Sequence, residues 1–186
     1  MRTRALAIGA PLLAVIVLGV VLPRLNRRVA PAPAAVAPQK TPEPSGRKIK
    51  ARLFYVAADG AHLTSAERDV AYADTPADQA REIIQAQITP VPDPIVSAIP
   101  PGTTLRAVFI ADGGTAYVDL SADVSTAHAG GTVDELLTIY AIVDALTVNL
   151  PAITTVQILV DGKEVETLAG HVDLRRPLAR NLSLVQ

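Results

Sequence analysis

The sequence predicts an α+β domain. We expect a mostly antiparallel sheet of about six strands with two helices on one side, in the order β-β-α-β-β-α-β-β, preceded by one N-terminal transmembrane helix. Three observations predict it. Short runs rich in Val, Ile, Thr and aromatic residues come in pairs, two of them around Asp-Gly or Gly-Gly turns, as hairpins do. Two longer stretches repeat apolar residues at helical spacing, one after each of the first two strand pairs. There is no glycine phosphate fingerprint and no strand–helix–strand repeat, so a doubly wound parallel sheet is not expected.

The first segment is residues 5–23, ALAIGAPLLAVIVLGVVLP, an uncharged apolar run. A helix of that length measures about 28 Å, close to one hydrocarbon thickness. A cleaved signal peptide would end in a small-x-small site, but Arg24-Leu25-Asn26-Arg27-Arg28 follows instead, which favours an uncleaved signal anchor. Residues 1–28 are therefore read as a cytoplasmic stub and transmembrane anchor. Arginines flank both ends of the span, so the positive-inside rule alone does not orient it. Residues 29–48 hold five prolines among alanines, without periodicity, and read as a semi-rigid spacer. Residues 49–186 are the folded domain.

Within that domain, residues 50–57 and 67–73 read as strands on either side of Asp59-Gly60. Thr75 can cap a helix, Pro76 suits its first position and Asp78 complements its dipole. That helix runs to about Ile88 and buries Ala80, Ile83, Ile84 and Ile88. Five prolines force residues 89–103 into a loop. Residues 104–111 and 115–120 form a hairpin around Asp112-Gly113-Gly114. Thr132 and Glu135 have the spacing of a capping box, opening a helix to Leu150 that buries Leu136, Ile139, Tyr140, Val143, Leu146 and Thr147. Residues 154–160 and 163–168 form a last hairpin around Asp161-Gly162.

Composition narrows the function. Residues 1–48 carry a net charge of +7 and residues 49–186 a net of −8, which together give the −1 of the whole chain. An acidic domain repels phosphates, so nucleic acid is not an expected partner. Aromatic residues are 3% and Trp is absent, which disfavours a sugar-stacking platform. Cys is absent, which removes thiolate nucleophiles, thiolate metal sites and an acylated lipoprotein Cys.

The strongest chemical candidate is His171, two residues before Asp173. On an extended segment the two share one face. No GxSxG elbow and no HExxH accompanies them, and His62 and His128 stand at unrelated spacings. Structural or solvent-facing roles are expected for both. Asp119 and Asp123 have the residue type of a glycosidase pair, but a strand end and the following turn are also where Asp belongs. Asp112 and Asp161 read as turn residues. Arg175, Arg176 and Arg180 form a basic cluster, read as solvated. No catalytic, cofactor-binding or metal site is predicted, and no cofactor. The loops 89–103 and 121–131 are long enough to bind a partner.

Four blocks in order carry a family pattern: RLFYVAADG at 52–60, IPPGTTL at 99–105, AYVDLSADV at 116–124, and the long run ELLTIYAIVDALTVNLPAITTVQILVDGKEVETLAGHVDLRRPL at 135–178. Together they resemble the GerMN domain, the sporulation and spore germination module. The resemblance implies an extracytoplasmic domain tethered to the membrane, with no enzymatic activity. It is also the reason for placing residues 49–186 outside. The expectation is a single-pass membrane protein whose domain acts as an interaction or assembly module in the cell envelope, through envelope proteins or self-association. A peptidoglycan-binding module is the alternative. A hydrolase using Asp119, Asp123 or His171 ranks last.

Overall fold

The computed structural model describes residues 46–186. The predicted anchor and most of the spacer lie outside the described residues. Among those described, no helix is long and apolar enough to cross a membrane. The elements are β1 (Lys48–Val56), β2 (Leu63–Ala71), α1 (Pro76–Ile88), β3 (Leu105–Ala111), β4 (Thr115–Leu120), a single turn α2 (Asp123–Thr126), α3 (Thr132–Asn149), β5 (Thr155–Val160), β6 (Lys163–Glu164), β7 (Leu178–Ala179) and a closing 3-10 turn at Leu182–Leu184.

The mixed α+β architecture with two main helices and mostly antiparallel pairing is as expected, but the single sheet is corrected. There are two sheets. β1 and β2 form an antiparallel hairpin of their own. The second sheet has the order β3-β4-β5-β6, with β7 also on β5. Its central pair, β4 and β5, is parallel. The cause is α3, which carries the chain back across the sheet, as parallel neighbours require. Nor do the helices cover one side of one sheet. They pack on each other, and each reaches both sheets, α1 touching β1, β2 and β3 and α3 touching β1, β5 and β7.

α1 follows its local signals. Thr75 Oγ1 accepts the Asp78 N–H at 3.1 Å, Pro76 opens the helix, and Ala80, Ile83 and Ile84 are fully buried. α3 departs from expectation. Gly131 is its N-cap and no side chain caps it, so there is no capping box. Its burial is not one stripe either. Leu137 and Ile142 are buried along with Ile139, Val143 and Leu146, because the helix is covered on several sides. The methyl-rich composition now makes sense, since α3 forms the middle of a core built with few aromatic rings.

The free edge of β1 is capped over residues 52–56, mostly by side chains. Gln87 Oε1 accepts the Phe54 N–H at 2.9 Å and its Nε2 donates to the Phe54 carbonyl at 2.6 Å. Asn149 does the same for Arg52, at 2.8 and 2.7 Å. The Val56 N–H donates to the Val96 carbonyl. Each amide side chain completes two backbone groups as a neighbouring strand would, so the edge over residues 52–56 offers no template for another chain.

Candidate functional site

His171 does not pair with Asp173. Residues 165–177 are not a strand, and the predicted hairpin arm over 163–168 keeps only Lys163–Glu164. Glu135, in the first turn of α3 and 0% exposed, holds that segment. Its Oε1 accepts the N–H of Leu168 at 2.8 Å and of Ala169 at 3.0 Å. Its Oε2 accepts the His171 N–H at 2.8 Å and lies 3.1 Å from His171 Nδ1. Burial pushes the Glu135 carboxyl up, but the N–H groups of Ala169, His171 and Leu168 outweigh it, and the net shift is downward. Glu135 is thus a buried anion in a cradle of backbone donors.

Asp173 is occupied on its own side. Both its oxygens take the Arg175 guanidinium, at 2.9 and 2.8 Å, in an exposed bidentate pair that holds its carboxyl well below the usual range. The expected basic cluster therefore loses Arg175 to an internal partner. Another histidine, His62, lies 2.7 Å through Nδ1 from the Asp59 carboxylate. No group of three or more possible metal ligands occurs among the described residues.

The suspected carboxylate pair is likewise absorbed by the fold. Asp119 Oδ1 accepts the Gly162 N–H at 2.7 Å, and its Oδ2 accepts Arg106 Nε at 3.0 Å. Arg106 Nη1 also donates to Asp161 at 3.2 Å. Asp119 therefore pins the β5–β6 turn against β4. Asp123 accepts the Ser121 hydroxyl at the start of α2.

The two long loops do come together. Residues 96–101, residues 127–129 and the start of α3 line a hollow of about 320 Å³, walled mainly by Val56, Val96, Ile99, Pro100, Ala127 and Leu137. His128 fastens it. Its Nδ1 accepts the Gly130 N–H at 2.9 Å, so its proton lies on Nε2, which donates to Thr138 Oγ1 at 3.1 Å. Thr138 in turn donates to the Ala98 carbonyl. One neutral imidazole thereby ties loop 121–131 to α3 and, through Thr138, to the proline loop. On the far side of the strip 97–101 lies a second hollow of about 510 Å³, bordered by the end of α1 and residues 89–91 and 102–104.

One further buried acid had no sequence signal. Asp144 in α3 is 0% exposed; its Oδ1 accepts the Asn181 N–H at 2.9 Å, and its Oδ2 has no partner. Burial pushes this carboxyl up, against the Asn181 N–H and the charge of Arg180. A raised folded value means that the favourable protonated form is fully present below the unfolded value, near 3.9, and is lost as pH rises through the folded value. Asp144→Asn keeps an acceptor for Asn181 and cannot ionise. We expect its melting temperature, relative to the parent, to be higher at about pH 7 than at about pH 4. A pH-independent difference would remove Asp144 from this role.

Comparison with known proteins agrees with this architecture. The chain resembles a candidate lipoprotein from Clostridium perfringens at 24% identity, over 71% of this chain and 87% of that one, with a TM-score of 0.51. It resembles the first GerMN domain of the sporulation protein GerM from Bacillus subtilis at 19% identity, over 71% and 98%, with a TM-score of 0.55. Against the tandem GerMN domains of the same protein the figures are 18%, 72%, 46% and 0.56, so the chain spans about half of that pair. At these identities the likeness establishes the fold alone. No curated protein matches the chain. A family model described as "Germane: Sporulation and spore germination" matches residues 52–166, from β1 to just past β6, and the chain belongs to that family.

Proposed function

We propose that this chain is a non-enzymatic interaction module of the cell envelope, serving sporulation or germination. Residues 5–23 anchor it as a single-pass helix, and the spacer 29–48 holds the domain on the extracytoplasmic side. Family membership and the likeness to a candidate lipoprotein support the envelope setting. The observation that carries the interaction reading is Phe109, 60% exposed on β3. Its neighbours Val108 and Ile110 face the other way, into the core or against it, so Phe109 stands on the outer face of the sheet, opposite Tyr117 of β4. The exposed Phe109 ring beside partly exposed Tyr117 sets two aromatic side chains next to each other on an outer sheet face, a contiguous apolar surface suited to a partner. The candidates His171, Asp119 and Asp123 are meanwhile hydrogen-bonded within the chain.

The test uses the full chain in its native cells, with a photo-crosslinking residue at position 109 and, as control, at exposed Arg81 of α1. A discrete protein adduct from 109 and none from 81 is expected. Purified peptidoglycan sacculi give the second arm. Saturable pelleting without released fragments would replace this reading with wall binding, and release that depends on Asp119 or His171 would replace it with hydrolysis.

A further inference from the structure

The hollow between the two loops has the features of a recognition pocket, and the interaction-module reading is the ground on which this inference stands. At about 320 Å³ it is at the small end for ligand sites. Its lining holds no Phe, Tyr or Trp, and its one ring, the His128 imidazole, is fixed through both nitrogens, so a sugar finds no stacking platform. Its polar atoms are mostly spent: both His128 nitrogens, the Thr138 hydroxyl and the Ser97 hydroxyl are hydrogen-bonded within the chain. A hydroxyl-rich ligand would therefore find few free partners.

Two features remain open. Val96, 56% exposed, presents apolar surface on the wall. Asp134, exposed in the first turn of α3, lines the hollow, and its carboxylate has no hydrogen bond or ion pair among the described residues. It is the single formally charged residue of the lining, and it belongs to a domain of net charge −8. An apolar cavity with one unpaired carboxylate selects an apolar side chain with a cation beside it. The second hollow, across the strip 97–101, has no charged lining and offers room for a further apolar side chain of the same segment.

We propose that this hollow binds an extended segment of a partner protein, inserting one aliphatic side chain and setting a neighbouring Lys or Arg against Asp134. His128 and Thr138 act as positioning residues, since they hold both loops at the spacing the hollow needs.

The experiment measures binding of fluorescent acetylated pentapeptides to the full chain in lipid nanodiscs. Each peptide holds one Leu and one Lys, separated by none, one or two alanines. At least one is expected to bind saturably. Ala129→Trp, at an exposed lining position where bulk does not enter the core, is expected to abolish binding. Asp134→Asn is expected to weaken it about fivefold, the size of an exposed ion pair. Replacing the peptide Lys by norleucine should cost the same factor and make binding indifferent to Asp134→Asn. No saturable binding at millimolar peptide, binding that survives Ala129→Trp, or purely additive effects of the two charge removals would each overturn the proposal. Absence of peptide binding alongside an intact adduct from position 109 would sink the pocket and leave the interaction module standing.

Discussion

Glu135→Ala is expected to destabilise the domain by about 3 kcal/mol, because it orphans three backbone N–H groups, one buried and two partly buried. Glu135→Gln is expected to cost roughly half as much, since one of its two terminal atoms still accepts while the other becomes a donor facing donors. His171→Ala should cost less than about 1 kcal/mol, because that ring is 39% exposed and its backbone N–H keeps its acceptor. The pH dependence has a definite sign. Glu135 has a depressed folded value, so its contribution is present above the unfolded value, near 4.3, and is lost as pH falls through the folded one. Urea unfolding at neutral pH and at about pH 4 separates the variants, with the parent losing stability on acidification and Glu135→Gln losing less. Equal costs for His171→Ala and Glu135→Ala would show that the ring, not the backbone cradle, is what the carboxylate holds. Hydrogen exchange at Leu168 and Ala169 should accelerate in both Glu135 variants, since the segment loses its tether while the core does not.

How much was legible follows from the sequence distance over which each signal acts. The cap of α1 was legible because Thr75 and Asp78 are three residues apart and the geometry is fixed by the helix itself. The turns at Gly113-Gly114 and Asp161-Gly162 were legible for the same reason, and all four residues do have positive φ. The partners that decide the site are remote. Gln87 meets Phe54 across 33 residues, Glu135 meets His171 across 36, and Asp119 meets Gly162 across 43. Nothing in local composition points from one member to the other. The closeness of His171 and Asp173 in sequence was misleading in this respect, since each had a better partner elsewhere. Glu135 shows the difficulty well. Its spacing from Thr132 fits a capping box, yet in a helix covered on several sides a carboxylate at that point faces inward, toward a segment with free N–H groups. The loop 89–103 was legible from its five prolines, whereas the single turn α2 within 121–131 was not. The convergence of the two loops was not legible either, because it depends on α3 lying across both sheets.

Gly114→Ala is expected to cost about 3–4 kcal/mol, against about 1–2 for Gly113→Ala, and the difference tests how the parallel pair is built. Both glycines have positive φ, +89° at 113 and +82° at 114, so both substitutions incur the same backbone penalty. Their surroundings differ. A Cβ on Gly113 meets nothing within 4 Å. A Cβ on Gly114 would lie 2.5 Å from the Ala152 carbonyl oxygen and 3.3 Å from Thr154 Oγ1. The first is backbone and cannot swing aside, so the chain entering β5 must move. That chain is also bonded to the same glycine, with the Thr154 N–H donating to the Gly114 carbonyl at 2.8 Å. The register follows at once, Thr115 opposite Thr155 and Val118 opposite Ile158. Gly114 therefore does two things. It supplies the turn of the β3–β4 hairpin, and it lets β5 approach closely enough to start the parallel ladder that α3 makes topologically possible. A thermal or urea measurement on the two alanine variants separates these functions. If both substitutions cost the same, the close approach contributes nothing and the ladder is held by α3 packing alone. If Gly114→Ala costs the larger amount, exchange protection along β5 should fall in that variant and stay intact in Gly113→Ala, because only the former displaces the strand.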